Sequence, residues 1–197
     1  IFGKNNTGSA INAAGKVTLG NGSLVTRANM DDTSSGVVKV AGAGARLTVS
    51  GGSVSDNRIV SANGETSYAG SVYVGDGACF LMTDGSISDN DANTADGADD
   101  ATATGGVFLT DGARGELAGG SITGNKSYRG AAVMLYSDGG DPSGRVVFEQ
   151  SGGEISGNTT VGSGYDQPAG AVMVERNAEY HMTGGSISGN SARGGVG

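Results

Sequence analysis

The chain has one cysteine, Cys79, among its 197 residues. A single cysteine excludes an intramolecular disulfide and a metal site built from several cysteines. Basic residues are also scarce, since 12 Lys and Arg stand against 20 Asp and Glu and the net charge is −8. Because no basic run is present, we expect neither nucleic acid nor an anionic membrane surface as a partner. No window approaches the roughly 18 apolar residues of a membrane-spanning helix, so no membrane insertion is expected.

Large apolar residues are sparse as well. Leu, Ile, Val and Phe together make up 36 of the 197 residues, and a share below about 20% accompanies disorder when the net charge is high. Here the net charge is modest and the apolar residues recur at regular positions, which favours a folded chain. Glycine is abundant, with 39 residues, and it opposes long helices. The composition therefore favours an all-β protein.

A repeated segment of eleven residues organises the chain. In order, the copies are LTVSGGSVSDN, FLMTDGSISDN, GELAGGSITGN, FEQSGGEISGN and YHMTGGSISGN, and they begin at Leu47, Phe80, Gly115, Phe148 and Tyr180. A weaker copy, VTLGNGSLVTR, begins at Val17 and places Arg27 at the position of the closing asparagine. The asparagines that close the other copies are separated by 33, 35, 33 and 32 residues. Self-similarity at a nearly fixed period predicts a repeat architecture.

Each repeat contains three short segments in which apolar residues alternate with polar ones. In one repeat, Phe80 and Met82 share a face of the first segment, Ile87 lies between two serines in the second, and Val107 and Leu109 share a face of the third. Such alternation is typical of strands with one buried face. We predict a right-handed parallel β-helix (β-solenoid) with three short strands per coil and about six coils. Residues 1–197 would form one such segment of a longer solenoid.

Stacking the repeats predicts three further features. Segments of variable length, 58–69, 91–104 and 159–169, should all leave the solenoid at one corner, where such folds carry binding loops. One column of buried isoleucines should contain Ile87, Ile122, Ile155 and Ile187. The closing asparagines should form a ladder with a spacing of about 4.8 Å, with their amides bonded along the axis as in cross-β stacks. The ladder residues are Asn57, Asn90, Asn125, Asn158 and Asn190.

The unit I-S-G-N, followed after a gap by a Gly pair or Gly-Ala and an apolar residue, resembles the repeats of bacterial right-handed parallel β-helix surface proteins. It is similar to the GGA[I/L/V] and FxxN motifs of the chlamydial polymorphic outer-membrane adhesins, with Ile or Val in place of Phe. The matching pieces are 187–190 with 194–196, 122–125 with 130–133, and 155–158 with 170–172. The resemblance covers roughly residue 37 to the end. It implies a secreted or bacterial cell-surface protein, often an adhesin.

We therefore expect a non-enzymatic, extracellular or cell-surface adhesin segment that acts as a rigid scaffold and displays a binding face. Its partner would be a host or environmental glycan, a protein, or a second copy of the chain.

The first candidate binding site is a row of outward residues on the third strand. Alternation points this row away from the core, and four of its five members are large and apolar, which marks a contact site when such residues are exposed. Two arrangements remain open. Either the row is an exposed stripe that binds a partner, or the preceding inserts fold over it, with Tyr68, Tyr128 or Tyr165 packing against it. The row consists of Lys39, Tyr73, Phe108, Met134 and Met173.

The second candidate is the outward column of the first strand, which contains Thr48, Leu81, Glu116, Glu149 and His181. Adjacent strands would place Glu116 and Glu149 about 4.8 Å apart, close to the roughly 5–5.5 Å between the carboxyl groups of a retaining glycosidase. The alternative function is therefore a polysaccharide-active enzyme, a glycoside hydrolase or lyase, with Glu116, Glu149 and His181 in catalytic roles. Otherwise the column is an exposed polar surface on which Glu149 and His181 form a weak pair.

The acidic insert 91–104 is a third, weaker candidate. Its carboxylates could hold Ca²⁺, which binds oxygen ligands in flexible geometry. Their spacing matches no calcium-binding motif, so a solvated acidic loop and no cofactor are preferred. The residues concerned are Asp91, Asp96, Asp99 and Asp100.

Overall fold

A computed structural model describes residues 8–30, 35–59, 69–92, 103–137, 144–161 and 169–193, and all its elements within these ranges are β-strands. They form three sheets in which neighbouring strands are parallel and come from successive repeats. The fold is therefore a parallel β-solenoid, as the repeats predict. Two of the sheets, called A and B below, each have six described strands, one from every layer. Each of the four inner layers therefore has a neighbouring layer on both sides.

Sheet B contains β1 (Ile11–Ala13), β5 (Gly36–Ala41), β8 (Gly70–Gly75), β11 (Thr104–Leu109), β15 (Val133–Leu135) and β19 (Val172–Val174). Sheet C contains β2 (Lys16–Gly20), β3 (Leu24–Thr26), β6 (Arg46–Ser55), β9 (Cys79–Ser88), β12 (Arg114–Leu117), β13 (Ser121–Thr123), β16 (Val146–Gln150), β17 (Glu154–Ser156), β20 (Ala178–Met182) and β21 (Ser186–Ser188). Sheet A contains β4 (Asn29–Met30), β7 (Arg58–Ile59), β10 (Asp91–Ala92), β14 (Lys126–Ser127), β18 (Thr159–Thr160) and β22 (Ser191–Ala192).

The division of each coil into strands differs from the prediction at one point. The Asp-Gly and Gly-Gly pairs between the first two predicted strands do not turn a corner and lie inside sheet C. In β9 the chain continues through Gly85, which has a φ of 95°, and the pairing of β9 with β6 shifts in register here. A register shift of this kind bends a strand without ending it. The predicted first and second strands therefore share one sheet.

The third sheet comes from residues that the sequence assigned to the variable inserts. A two-residue strand of sheet A follows each ladder asparagine directly. The residues between sheet A and sheet B that the structure does not describe are 31–34, 60–68, 93–102 and 162–168. All of these segments join the same two sheets, as predicted. One further long connection, between β15 and β16, joins sheet B to sheet C instead, so length variation is not confined to one corner.

The asparagine ladder is present and extensively hydrogen-bonded. Asn125 donates from Nδ2 to Asn158 Oδ1 at 3.0 Å and to the Ile87 carbonyl at 2.9 Å. Its own Oδ1 accepts from the Nδ2 of Asn90 at 2.8 Å and from the Asn90 backbone N–H at 3.2 Å. The same pattern links Asn57 to Asn90. Every inner amide thus bonds both neighbouring layers and satisfies backbone groups of the buried corner.

The structure adds one detail to the predicted ladder and corrects another. The left-handed backbone conformation falls on the residue before each asparagine, such as Asp89 at φ 56° or Gly124 at φ 65°. In the weak first repeat this residue is Arg27, with φ 57°. Because Ala28 then follows, its N–H donates to Asn57 Oδ1 at 3.0 Å. The assignment of Arg27 to the ladder position was therefore wrong by one residue, and Ala28 occupies that position.

The core consists of the inward columns of all three sheets. Ile87, Ile122 and Ile155 pair in register and are fully buried, which confirms the isoleucine column. Ile187, in the last described layer, is 39% exposed.

A glycine in the next inward column allows aromatic stacking across a layer. Gly115 pairs with Phe80 on one side and Phe148 on the other. The two rings lie with centroids 6.3 Å apart and stack, although two layers separate their backbones by about 9.6 Å. A Cβ at Gly115 would lie 2.4 Å from Phe148 Cδ2, so only glycine leaves room for this stack.

Gln150 is a buried polar residue in an inward position, and the structure accounts for it. Its Nε2 donates to the Ser186 carbonyl at 3.3 Å, and its Oε1 accepts a hydrogen bond from the Tyr180 hydroxyl. Partial burial raises the pKa of Tyr180 to about 12.

Candidate binding surfaces

The outward row of sheet B has the predicted register. Tyr73 pairs with Phe108, Phe108 with Met134, and Met134 with Met173. The row is nevertheless covered. Phe108 and Met134 are fully buried and Met173 is 8% exposed, while Tyr73 is half-buried. The row is therefore buried and is not an exposed stripe, and it forms a small core of its own. The packing of Tyr68, Tyr128 or Tyr165 against it stays a prediction.

Close packing of neighbouring segments of the same chain explains this burial. Gly70 lies so near Phe108 that a Cβ there would be 2.9 Å from the Cβ of Phe108. Ala169 and Tyr136 pack against the row, and the Tyr73 ring stacks on Phe108 with centroids 5.7 Å apart. Tyr128 is half-buried, whereas Tyr68 and Tyr165 lie outside the described residues. The glycine at the start of β8 therefore has a packing role.

We expect Phe108→Ser to lower the free energy of unfolding by about 3 kcal/mol, because it removes a fully buried aromatic side chain and leaves a cavity. Chemical denaturation measures the change. Phe108→Leu is the matched control and should cost about 1 kcal/mol. An unchanged midpoint for Phe108→Ser would mean that the row is open to solvent.

The outer face of sheet C has a regular arrangement of polar and charged columns. One outward column contains Glu116 beside Glu149 and Glu149 beside His181, in the predicted register. The second column lies two residues earlier on each strand. Its members are Lys16, Arg46, Cys79, Arg114, Val147 and Glu179, and each pairs with the next.

A shallow depression of about 210 Å³ lies on this face, with Arg46 and Arg114 from one column and Glu116 and Glu149 from the other among its lining residues. Glu149 is exposed and Glu116 is half-buried. The two carboxylates thus share a depression, as the catalytic alternative requires. Its volume is below the roughly 300–1,000 Å³ of pockets that enclose a small-molecule ligand.

His181 has a different partner from the one expected. Its Nε2 lies 3.1 Å from Glu179 Oε2, and Glu179 also forms an ion pair with Arg145. His181 and Glu179 are two residues apart on one strand, so their side chains share a face. The expected surface pair of His181 with Glu149 is replaced by this cluster.

The acidic insert gives no described metal site. Asp91 lies in β10, where it pairs in register with Arg58 and Lys126, and the other three carboxylates lie outside the described residues. Among the residues that the structure describes, no group of three or more His, Cys, Asp or Glu side chains is placed to hold a metal ion. The same part of the chain contains no helix suited to crossing a membrane.

Sequence reasoning missed two charged features. The first is the basic column formed by Lys16, Arg46 and Arg114, which occupy equivalent positions of successive repeats. Their position two residues before an outward residue of the Glu column was the available signal. The second is a largely buried ion pair between Arg129 and Glu175, with Nη2 and Oε1 2.7 Å apart. It joins the segment after β14 to the end of β19.

Comparison of the chain with protein-family models, with curated proteins and with solved structures found no match.

Proposed function

We propose that this chain is a non-enzymatic scaffold segment of a bacterial extracellular or cell-surface adhesin, and that the outer face of sheet C is its binding surface. The resemblance of the repeats to bacterial surface β-helices supports the location and the class. The observation that carries the choice of face is the burial of the outward row of sheet B. With that row covered and the sheet A strands only two residues long, sheet C offers the most extended regular outer face among the described residues.

The geometry of this face suits display. Ladder hydrogen bonds and continuous inward columns fix every layer against its neighbours, so outward side chains are held at strand spacing, about 4.8 Å along the axis and about 6.7 Å between alternate residues. A rigid array of this kind loses little conformational freedom on binding. The partner would be a glycan or a protein of the surroundings.

The test compares matched bulky substitutions on two faces. Thr48→Tyr places a ring on the outer face of sheet C, and Thr159→Tyr places one on sheet A. We expect wild-type chain to bind an immobilised panel of glycans and extracellular matrix proteins. Thr48→Tyr should lose this binding at an unchanged unfolding midpoint, whereas Thr159→Tyr should keep it. Absence of binding to the whole panel, or equal binding by both variants, would refute the assignment.

A glycan-active enzyme is the second candidate, because Glu116 and Glu149 are direct register partners and line one depression. The depression is shallow, and its volume of about 210 Å³ is below that of pockets that enclose a small-molecule ligand. We therefore expect no cleavage of pectins, host glycans or mucins, measured as reducing ends released. Hydrolysis that Glu149→Gln abolishes and Glu154→Gln preserves would establish the enzyme instead. Glu154 is an exposed carboxylate of the same sheet.

A further inference from the structure

Around the depression on sheet C, positive charges lie in one outward column and negative charges in the adjacent one. Arg46 and Arg114 flank Cys79 in one column, since each pairs with it in register, and both arginines are exposed. Lys16 extends the same column by one layer. The carboxylates of Glu116 and Glu149 lie in the adjacent column. A ligand in the depression would therefore meet cations on one side and hydrogen-bond acceptors on the other.

The two arginines have no carboxylate partner among the described residues. The ion pairs within 4.0 Å in that part of the chain involve Arg129, Arg145 and His181. A chain with a net charge of −8 offers many carboxylates, yet within the described ranges none of them pairs with these two exposed guanidinium groups. Guanidinium groups bind carboxylates through paired hydrogen bonds, which makes an acidic group the best ligand for this side.

The carboxylate side sets a second requirement. Ionised Glu116 and Glu149 only accept hydrogen bonds, so a ligand must offer donors to them and must keep its own negative charge away. A sugar acid meets both requirements, because one ring carries a carboxylate and several hydroxyl groups. An acidic peptide supplies carboxylates without neighbouring hydroxyls and would be repelled by the glutamates.

We propose that this depression binds a sugar-acid unit of an acidic polysaccharide, with its carboxylate on Arg46 and Arg114 and its hydroxyls on Glu116 and Glu149. The volume of about 210 Å³ suits one sugar-acid unit. The rest of the polysaccharide would lie along the outward columns of sheet C. This inference rests on the proposed function, in which sheet C is the binding face, and it names the ligand class.

Titration with oligogalacturonate, with neutral dextran oligomers as the comparison, tests the proposal. We expect oligogalacturonate to bind and dextran not to bind. The double variant Arg46→Gln/Arg114→Gln should lower the affinity for oligogalacturonate by a factor of about ten or more, because two charged hydrogen-bond partners are lost. Arg58→Gln, on an exposed arginine of sheet A, is the matched control and should bind as wild type. Unchanged binding by the double variant, or no binding of oligogalacturonate by wild type, would overturn the proposal.

The glutamates distinguish a sugar acid from an acidic peptide. Glu116→Gln/Glu149→Gln should weaken oligogalacturonate binding several-fold, since the amide is a weaker acceptor of hydroxyl hydrogen bonds. If the site merely attracts anions, the same variant should bind oligogalacturonate and polyglutamate more tightly, and that result would contradict the proposal. A panel ligand could lose binding to Thr48→Tyr and still bind Arg46→Gln/Arg114→Gln as tightly as wild type. In that case the proposed function would stand and the ligand class would be wrong.

Discussion

Replacing Ile122 with Asp is expected to abolish the folded state. Ile122 is fully buried, and its register partners Ile87 and Ile155 cover it on both sides. The aspartate carboxylate would have no cation or hydrogen-bond donor in this column, and an unpaired buried charge costs several kcal/mol or more. A total stability of about 5–15 kcal/mol leaves little margin for such a loss. Circular dichroism during urea unfolding should show no cooperative transition or one at a much lower midpoint.

Two neighbouring changes control for this experiment. Thr123→Asp introduces the same charge on the outward side of the same strand, where water solvates it, and should cost about 1 kcal/mol. Ile122→Val keeps the column apolar and should cost about 0.5–1.5 kcal/mol. If Ile122→Asp melted like wild type, Ile122 could not be an inward residue and the register of sheet C would be incorrect.

Removal of one ladder amide in the middle of the stack is expected to have the second largest effect. Asn125→Ala deletes two hydrogen bonds that Asn125 donates and two that it accepts. Asn125 is fully buried, so water does not replace these partners. Buried groups left unsatisfied cost about 1–3 kcal/mol each, and we expect a loss of about 4 kcal/mol in the free energy of urea unfolding.

The last rung of the ladder provides the control. Asn190 donates to the carbonyls of Ile155 and Ser188 and accepts from Asn158, but it is only half-buried. Because solvent reaches its partners, Asn190→Ala should cost about 1 kcal/mol. Equal losses for Asn125→Ala and Asn190→Ala would show that the amides stabilise the solenoid through something other than buried hydrogen bonds.

An acidic isostere refines the same test. In Asn125→Asp one oxygen can still accept from Asn90, but the other replaces a donor and faces the carbonyl of Ile87. Stability should therefore rise as the pH falls and the new carboxyl becomes protonated, because the neutral acid restores a donor. A variant whose unfolding midpoint did not depend on pH relative to wild type would argue against this orientation of the ladder amides.

The sequence by itself determined the solenoid, because the spacing of asparagines and the alternation of apolar residues repeat once per layer. The inward column of Ile87, Ile122 and Ile155 and the outward register of Glu116 with Glu149 both follow from that period, since stacked copies must place equivalent residues together. The asparagine ladder follows for the same reason.

Only the tertiary structure decided how each coil divides into sheets and which outward residues meet solvent. A glycine pair can turn a corner or bend a strand. At Gly85 the strand bends and continues, because β9 pairs with β6 on both sides of this residue. Two-residue strands such as β10 are too short for periodicity to reveal. Phe108 points away from the main core, and alternation alone cannot tell whether another segment covers it.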